Sequence, residues 1–272
     1  MHFIFLLVFT AQAFGGEKEL LSSAELFTKE GVTYGRCEAR MRMVAADGVI
    51  SSFFLWKDES EKDNVFWNEI DIEVLGCNPT GFQSAIHYGT GGWSNMTHLE
   101  SFHHLSKALT TRYKTYTLEW TPDYICWKLN DSLIRKDTGE AAARFRGVPM
   151  QARFNIWPSM QSSWAGPFNP DVLPKHMYIN WVKYYKYTPD KTPEFTLAWE
   201  DNFDADTLDR RWKTGFWESP DKASTHLDRN VTIRNGAAIL SLSRDVQYGF
   251  NGIIPQDNSG GTTFPKEFNR GR

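Results

Sequence analysis

The sequence has little cysteine, no surplus of basic residues and no long apolar run after its amino terminus. Its three cysteines, Cys37, Cys77 and Cys126, allow at most one disulfide within the chain, and the sequence does not choose a pair. Lys and Arg together number 30 against 33 Asp and Glu, so the formal net charge is −3. This charge balance argues against a nucleic-acid partner and makes a neutral substrate easier to accommodate than a polyanion.

The amino terminus reads MHFIFLLVFTAQAFGG, with an apolar run from Phe3 to Phe9 followed by Ala11-Gln12-Ala13. This small-x-small pattern is typical of a signal-peptidase site, and the run is too short to span a membrane. A buried first strand is the alternative. We expect residues 1–13 to be a signal peptide, and the mature protein to be secreted and soluble, with no membrane partner.

Aromatic residues are plentiful, at 15% of the 272 residues, and 11 of them are Trp. Large rings fill cores first, so we expect Trp120, Trp127 and Trp199 to be structural. The surplus leaves further rings free to stack on a ligand.

Short alternating runs dominate the rest of the sequence. In YGRCEARMRM, Arg36 and Glu38 alternate with Cys37 and Ala39, which predicts a half-buried strand and a buried free thiol at Cys37. Other short runs rich in β-branched and aromatic residues are separated by turn clusters such as GCNPTG. Only residues 140–144 have a helical pattern. Many short strands joined by turns predict an all-β sandwich, jelly roll or barrel.

The segment WNEIDIEVLG, residues 67–76, places three acids at alternate positions. Residues two apart in a strand share a face, so Glu69, Asp71 and Glu73 project to one side while Ile70 and Ile72 enter the core. A helix would turn Asp71 away from the two glutamates. A solvated strand face is the alternative, but like charges at neighbouring same-side positions repel, so their alignment gains nothing structurally.

Two carboxyl groups flanking a sugar bond would give this alignment a purpose. Retaining glycosidases use one as the nucleophile and the other as acid and then base, with the carboxyl groups roughly 5–5.5 Å apart. Their mutual repulsion raises the pKa of one partner and keeps a proton available near neutral pH. Since four residues of strand cover roughly 13 Å, Glu69 and Glu73 can meet only on the concave side of a curved sheet.

NEIDIEVLG resembles the active-site strand of glycoside hydrolase family 16, whose pattern is Glu, apolar, Asp, apolar, Glu. YGRCEARMRM, SSFFLW and ARFNIWPSMQSSWAGPF are similar to other cleft strands and loops of that family. The resemblance implies a jelly-roll β-sandwich of two curved antiparallel sheets, with Glu69 as nucleophile, Asp71 tuning it by hydrogen bonding and Glu73 as acid/base. The unbroken spacing is similar to the lichenase and xyloglucan-transferase branch, whereas the laminarinase branch carries an extra residue before the last Glu.

The order of the segments is similar to that of circularly permuted lichenases from rumen bacteria. In ordinary family members a stretch like FTLAWEDNFDADTLDRRW comes first and one like YINWVKYYKYT comes last, and here that order is reversed. The resemblance implies one permuted catalytic domain over residues 14–256, joined near residues 188–194. A separate small domain after the join is the alternative. Residues 257–272, which are rich in Gly, Asn and charge, are expected to form a disordered tail.

The same resemblance implies a set of substrate-binding residues, including tryptophans that stack on the apolar faces of glucose rings. Core packing is the alternative for the tryptophans, and a structural ion pair is the alternative for Arg153. Trp56 replaces a Tyr of the permuted enzymes, while Asp58 and Ala85 each replace an Asn, and these departures bear on which glucan is preferred. The implied residues are Phe54, Trp56, Asp58, Trp67, Gln83, Arg153, Asn155, Trp157, Trp164, Lys213 and Trp217.

The resemblance also implies a structural calcium ion held by Asn180, Asn202 and the backbone carbonyl of Gly236. Oxygen ligands suit calcium, but two neutral amides and a carbonyl would make a weak site. Hydrogen-bonding turn residues are the alternative. No organic cofactor is expected.

The resemblance, together with the spacing of the three acids, implies a monomeric, endo-acting, retaining glycoside hydrolase that cleaves β-1,4 bonds in mixed-linkage 1,3-1,4-β-glucan. The alternatives are a xyloglucan hydrolase or transglycosylase, a laminarinase using the same site, and a non-catalytic lectin that binds glucan through its tryptophans. A lectin has no need of an intact Glu-Asp-Glu set, which favours the enzyme.

Overall fold

The computed structural model describes residues 20–144, 147–244 and 247–258, and these residues form sixteen strands. The predicted signal peptide, residues 1–13, lies outside the described residues. Numbered along the chain, the strands are β1 (Leu21–Thr28), β2 (Gly35–Arg42), β3 (Val49–Trp56), β4 (Trp67–Leu75), β5 (Gly81–Gly89), β6 (Thr97–His104), β7 (Lys114–Trp120), β8 (Tyr124–Leu129), β9 (Ser132–Thr138), β10 (Gln151–Pro158), β11 (Lys175–Tyr187), β12 (Phe195–Asp201), β13 (Trp212–Thr214), β14 (Thr225–His226), β15 (Val231–Arg234) and β16 (Ala237–Arg244).

The strands form two layers that are connected through the pairing of β1 with β16. The front layer has the order β6-β5-β4-β3-β10-β1, and β13 pairs with the end of β1. The back layer has the order β16-β11-β2-β7-β8-β9, with β12 on β11 and β15 on β16. The first residues of β1 also pair with β16, which joins the two layers. Apart from the short parallel β1–β14 pair, the strand pairs are antiparallel. The predicted all-β jelly-roll sandwich is confirmed.

Two helices of one turn each interrupt the strands, α1 (Glu140–Ala143) and α2 (Ser162–Ala165). The sequence predicts the first but not the second. Three short 3₁₀ turns complete the described elements, at Trp93–Asn95, Pro170–Val172 and Asp228–Asn230.

The core lies between the two layers and sets the orientation of β4. Ile70 and Ile72 are fully buried and belong to the same hydrophobic cluster as Leu118 and Trp127 of the back layer. The Trp127 indole also donates a hydrogen bond from Nε1 to the backbone oxygen of Asp71, at 2.9 Å. Each buried isoleucine contributes about 1.5–3 kcal/mol, so β4 is anchored with its other face towards solvent.

Residues 188–194 form the loop of a hairpin between β11 and β12. The Thr188 amide donates to the Glu194 carbonyl at 2.7 Å, and Tyr187 faces Phe195 across the hairpin. Beyond this loop, β12 and β16 pair with β11, while β13 and β14 pair with β1. The strands of residues 195–244 therefore belong to both layers. The circular permutation stays a prediction.

The remaining sequence expectations concern cysteines, membrane segments and the tail. Cys37, Cys77 and Cys126 are free, and Cys37 is buried as predicted. Within the described part of the chain, none of the helices is long and apolar enough to cross a membrane.

The predicted tail begins with a residue that contacts the back layer. Asp257 forms a bidentate ion pair with Arg40, with hydrogen bonds of 2.7 and 2.8 Å. Residues 259–272 lie outside the described ranges.

Candidate active site

β4 presents the three predicted catalytic acids on the solvent side of the front layer. Glu69 and Glu73 are half-buried and Asp71 is buried, whereas Ile70 and Ile72 lie beneath them in the core. The acids and the isoleucines therefore lie on opposite faces of β4, as the alternation in the sequence predicts.

The acids lie in a cavity of about 1150 Å³ on the front layer. Facing residues on neighbouring strands share one side of a sheet, so the register brings Phe54 beside Asp71 and Gln83 beside Glu73. All of the predicted substrate-binding residues line this cavity with the acids: Phe54, Trp56, Asp58, Trp67, Gln83, Arg153, Asn155, Trp157, Trp164, Lys213 and Trp217.

Glu69 differs from Glu73 in its hydrogen-bond donors. Burial raises the pKa of both carboxyl groups. At Glu69, hydrogen bonds from the Trp67 indole, at 2.8 Å, and from the Asp71 carboxyl act in the opposite direction and lower the pKa. Among the described residues no hydrogen bond lowers the pKa of Glu73 in this way, and the charges of Glu69 and Glu100 raise it further, to about 8. Glu69 is therefore the better carboxylate, and Glu73 is the better proton donor.

Asp71 is the middle acid of the three, and its carboxyl group interacts with that of Glu69. Burial first, and then the charges of Glu69 and Glu73, raise its pKa well above the ordinary value. In its neutral form it donates a hydrogen bond to Glu69. Nε2 of His87 lies 3.3 Å from the Asp71 Oδ2 atom, and burial lowers the pKa of His87 to about 3, so this imidazole is neutral.

Arg153 fits both of the roles considered from the sequence. Its guanidinium lines the cavity and forms a buried ion pair with Glu25 at 2.9 Å. It also stacks on the Phe27 ring at 4.5 Å and lies 3.6 Å from the exposed carboxylate of Asp58. The guanidinium is thus held in one place by Glu25 and Phe27.

The predicted stacking tryptophans differ in how much of each ring is open. Trp217 is 39% exposed, and its Nε1 donates to Glu25 at 3.3 Å. Trp67 is half-buried, and the half-buried Trp164 donates to Gln83 at 3.0 Å. Trp157 is only 4% exposed and packs with an apolar cluster, so core packing, the alternative, describes it better.

The other predicted contacts range from buried to open. Phe54 and Asn155 are each 7% exposed, while Lys213 lies exposed at the cavity edge. Of the tryptophans expected in the core, Trp120 and Trp127 are buried as predicted, and Trp199 is half-buried against the core.

The sequence interpretation missed several polar residues of the cavity. Glu25, His87 and Glu100 line it beside the predicted residues. Ala85 lies opposite both Asp71 and Glu100, and its small side chain leaves the Glu100 charge open to the acids. Glu25 could have been suspected as the single acid in the otherwise uncharged strand LSSAELFT, but its partner lies 128 positions away.

The predicted calcium ligands come together where two strands end beside β11. Ile179 pairs with Ala238 of β16 and Val182 pairs with Asp201 of β12, so Asn180 lies in the gap between Gly236 and Asn202. The Asn180 side chain also donates to Asp257 at 3.2 Å. Amide, carbonyl and carboxylate oxygens are the hard ligands that calcium takes, so the donor set fits that ion.

Comparison with known proteins identifies the family. Residues 9–183 match the sequence model of Glycosyl hydrolases family 16. A β-glucanase of Fibrobacter succinogenes is 43% identical over 242 residues, which cover 87% of this chain and 68% of that protein. A β-glucanase of Brevibacillus brevis is 31% identical over 163 residues, 60% of each chain. The structure of a Bacillus licheniformis β-glucanase aligns with a TM-score of 0.51 and 27% identity, covering 62% of this chain and 78% of that one.

The jelly-roll fold, the carboxyl groups in its open cavity and these relatives together define a glycoside hydrolase. The sequence match extends over more than half of the chain, and the chain belongs to glycoside hydrolase family 16.

Proposed function

We propose that the protein is an endo-acting, retaining β-glucanase that cleaves β-1,4 bonds in mixed-linkage 1,3-1,4-β-glucan. Membership of family 16 and the similarity to β-glucanases support the substrate class. The observation that carries the reaction type is the unequal support of Glu69 and Glu73 on one strand face. An open cavity lined from β6 across to β13 suits an internal stretch of polysaccharide.

In the first step, an Oε atom of Glu69 attacks the anomeric carbon of the bound glucosyl unit. The bond from that carbon to the leaving sugar oxygen breaks, and Glu73 transfers its proton to this oxygen. The product is a glycosyl ester on Glu69. The Trp67 N–H and the Asp71 carboxyl keep Glu69 ionised and oriented for the attack.

In the second step, the Glu73 carboxylate takes a proton from a water molecule. The water oxygen bonds to the anomeric carbon, the ester bond breaks, and Glu69 leaves as a carboxylate. Two displacements on opposite faces of the sugar restore the original anomeric configuration. Glu73 is again protonated and ready for the next substrate.

The surrounding residues bind and orient the glucan. Trp217 and Trp67 offer ring faces to sugars, and Arg153, Asn155 and Gln83 offer groups that hydrogen-bond sugar hydroxyls. The Glu25 carboxylate fixes two of these groups, Arg153 and Trp217, by direct contact.

We also propose that calcium binds between Asn180, Asn202 and the Gly236 carbonyl. The strand register that gathers these residues supports this. The bound ion would act as a structural tie and would supply no step of the reaction.

Alanine variants of the two glutamates separate their roles. E69A and E73A should each lower kcat on lichenan by roughly a thousandfold or more. Azide should rescue E69A by a single displacement and give the inverted α-glycosyl azide. With an aryl glycoside substrate, whose leaving group departs without a proton from Glu73, azide should rescue E73A by replacing water in the second step and give the retained β-glycosyl azide. Reducing-sugar assays and NMR of the products measure both results.

The control variant is E30Q, which removes an exposed carboxylate outside the cavity and should cleave lichenan at the rate of the unaltered protein. Full activity of E69A would disprove the assignment. Activity confined to xyloglucan or laminarin, or sugar transfer to an added acceptor, would instead identify one of the related enzymes. Binding of lichenan with no cleavage by the unaltered protein would identify a lectin.

A further inference from the structure

Trp93 is an exposed aromatic residue in the cavity to which neither the sequence interpretation nor the proposed mechanism gives a role. All 11 tryptophans lie within the described residues, and among them only Trp93 and Trp217 are exposed. Trp93 is 51% exposed. Both rings line the catalytic cavity, so the two most exposed indoles of the protein face the same cleft.

The Trp93 ring is held in place by two histidines. His98 contacts the backbone oxygen of Trp93 through Nε2 at 2.9 Å, and the His98 ring centroid lies 4.4 Å from that of Trp93. The His87 ring also contacts Trp93, with ring centroids 4.8 Å apart. The Nδ1 atoms of the two histidines are 2.8 Å apart. Gly91 and Gly92, which precede Trp93, adopt positive φ of 92° and 83°, a backbone conformation that favours glycine.

The position of Trp93 extends the row of rings beside the acids. Its centroid lies 5.7 Å from that of Trp67, the residue that donates to Glu69. Trp217, by contrast, lies over β1, three strands from β4 in the front layer. Neighbouring strands are about 4.8 Å apart, so a sugar chain that crosses the strands from Trp217 passes the acids before it reaches Trp93.

A second cavity, of about 290 Å³, adjoins the first at Trp67. It is lined by residues 60–65 and 89–92, which include Asp63 and Asn64. These side chains offer hydrogen-bonding groups next to the half-buried Trp67 ring, and this combination suits a sugar, which has an apolar face and a rim of hydroxyls.

We propose that Trp93 is a sugar-stacking platform that adds one binding subsite to the cleft, at the Glu69 end of β4. Its occupant is a glucosyl unit of the polysaccharide, remote from the bond that is cleaved. The His87–His98 pair orients the ring and thereby reduces the conformational entropy lost on binding. This inference rests on the proposed function, because it takes the ligand to be the β-glucan.

The test compares W93A and W93F with the unaltered protein on two substrates, lichenan and a chromogenic oligosaccharide too short to reach Trp93. W93A should raise KM for lichenan roughly three- to tenfold and change kcat little, because a ring contact contributes about 0.5–1.5 kcal/mol. Its kinetics on the short substrate should be unchanged. W93F retains a ring and should recover most of the affinity.

A binding measurement separates this proposal from the proposed function. Electrophoresis through gels that contain lichenan, with E69Q as the inactive background, should show weaker retardation of the E69Q W93A double variant. If lichenan is bound but not cleaved by the unaltered protein, the proposed function fails while the W93A effect on retardation still supports the platform. If lichenan is cleaved and W93A leaves both retardation and KM unchanged, the platform alone is wrong.

The matched control is W181A, which removes a half-buried indole of the back layer that lies outside the cavity. This variant should match the unaltered protein in KM and retardation. A W93A variant that loses kcat equally on short and long substrates would also overturn the proposal, because Trp93 would then act by positioning the acids and not by binding sugar.

Discussion

Glu69 and Glu73 lie four positions apart on one strand, and their carboxyl groups differ in the hydrogen bonds that they accept. Burial raises the pKa of both. The difference comes from the indole N–H of Trp67 and the carboxyl of Asp71, which hydrogen-bond Glu69. Because Trp67 directly precedes the NEIDIE segment, the same stretch of chain that carries Glu69 also supplies its indole hydrogen-bond donor.

Removal of that donor should change the pH dependence of the reaction. W67F keeps a ring but loses the N–H, so the pKa of Glu69 rises and a higher pH is needed to ionise the nucleophile. The acidic limb of the kcat/KM profile on lichenan should move to higher pH by about one unit. The alkaline limb reports the proton on Glu73 and should stay in place.

W56F is the control for the W67F profile. Trp56 contacts Trp67 edge-on with ring centroids 4.6 Å apart, so its replacement disturbs the same ring cluster while the Trp67 bond to Glu69 remains. An equal shift of the acidic limb in both variants would show that packing, and not the hydrogen bond, sets the pKa of Glu69.

The sequence predicts site residues that lie on one strand better than site residues that come together from strands distant in sequence. The period of two in β4 is enough to place Glu69, Asp71 and Glu73 on one face. Glu25 and His87 reach the cavity only because β1 and β5 pair with β10 and β4. Such pairings depend on strand order, which no local pattern encodes.

At the scale of elements, a side-chain hydrogen bond from the back layer anchors β4 within an apolar core. The Trp127 indole of β8 donates to the Asp71 backbone oxygen. Trp120 of β7 is equally buried, but its Nε1 has no hydrogen-bond partner among the described residues. The two tryptophans therefore form a natural pair for measuring this bond.

W127F should lower the free energy of unfolding more than W120F does. Both changes remove similar volume from the core, but only W127F leaves the Asp71 carbonyl without its indole donor. The difference should be about 1–3 kcal/mol, measured by urea denaturation. Equal losses in the two variants would mean that the Trp127 hydrogen bond contributes nothing beyond packing.

Sequence periodicity predicts the longer elements of this protein but not the shortest ones. Alternation predicts the strands, and the short helical pattern predicts α1 (Glu140–Ala143). The one-turn helix α2 (Ser162–Ala165) has no period to detect, because four residues make little more than one turn. It is stabilised instead by tertiary contacts, such as the packing of Ala165 with Trp157 and Ile50.

On the scale of the whole molecule, the proposed calcium ion would tie β11 to the ends of β12 and β16. An ion that binds only the folded chain raises stability by about 2.7 kcal/mol at a hundred times its dissociation constant. Calcium should therefore raise the melting temperature by several degrees and EDTA should reverse this. Magnesium, which demands a stricter octahedral geometry, should have a smaller effect.

The N180A variant tests the location of that ion. It should abolish the calcium-dependent rise in melting temperature while kcat on lichenan is kept, since Asn180 lies on the back layer, away from the acids. A melting temperature of the unaltered protein that is the same in calcium and in EDTA would contradict the proposed site.

The strand partners of β1 have a consequence for how the protein folds during synthesis. β1 is made early, yet it pairs with β10, β13, β14 and β16, whose residues run from 151 to 244. Contacts so distant in sequence form slowly, because the loop between them must close first. The ribosome must therefore release most of the chain before this strand finds its neighbours, and until then β1 is an unpaired edge that aggregation can exploit.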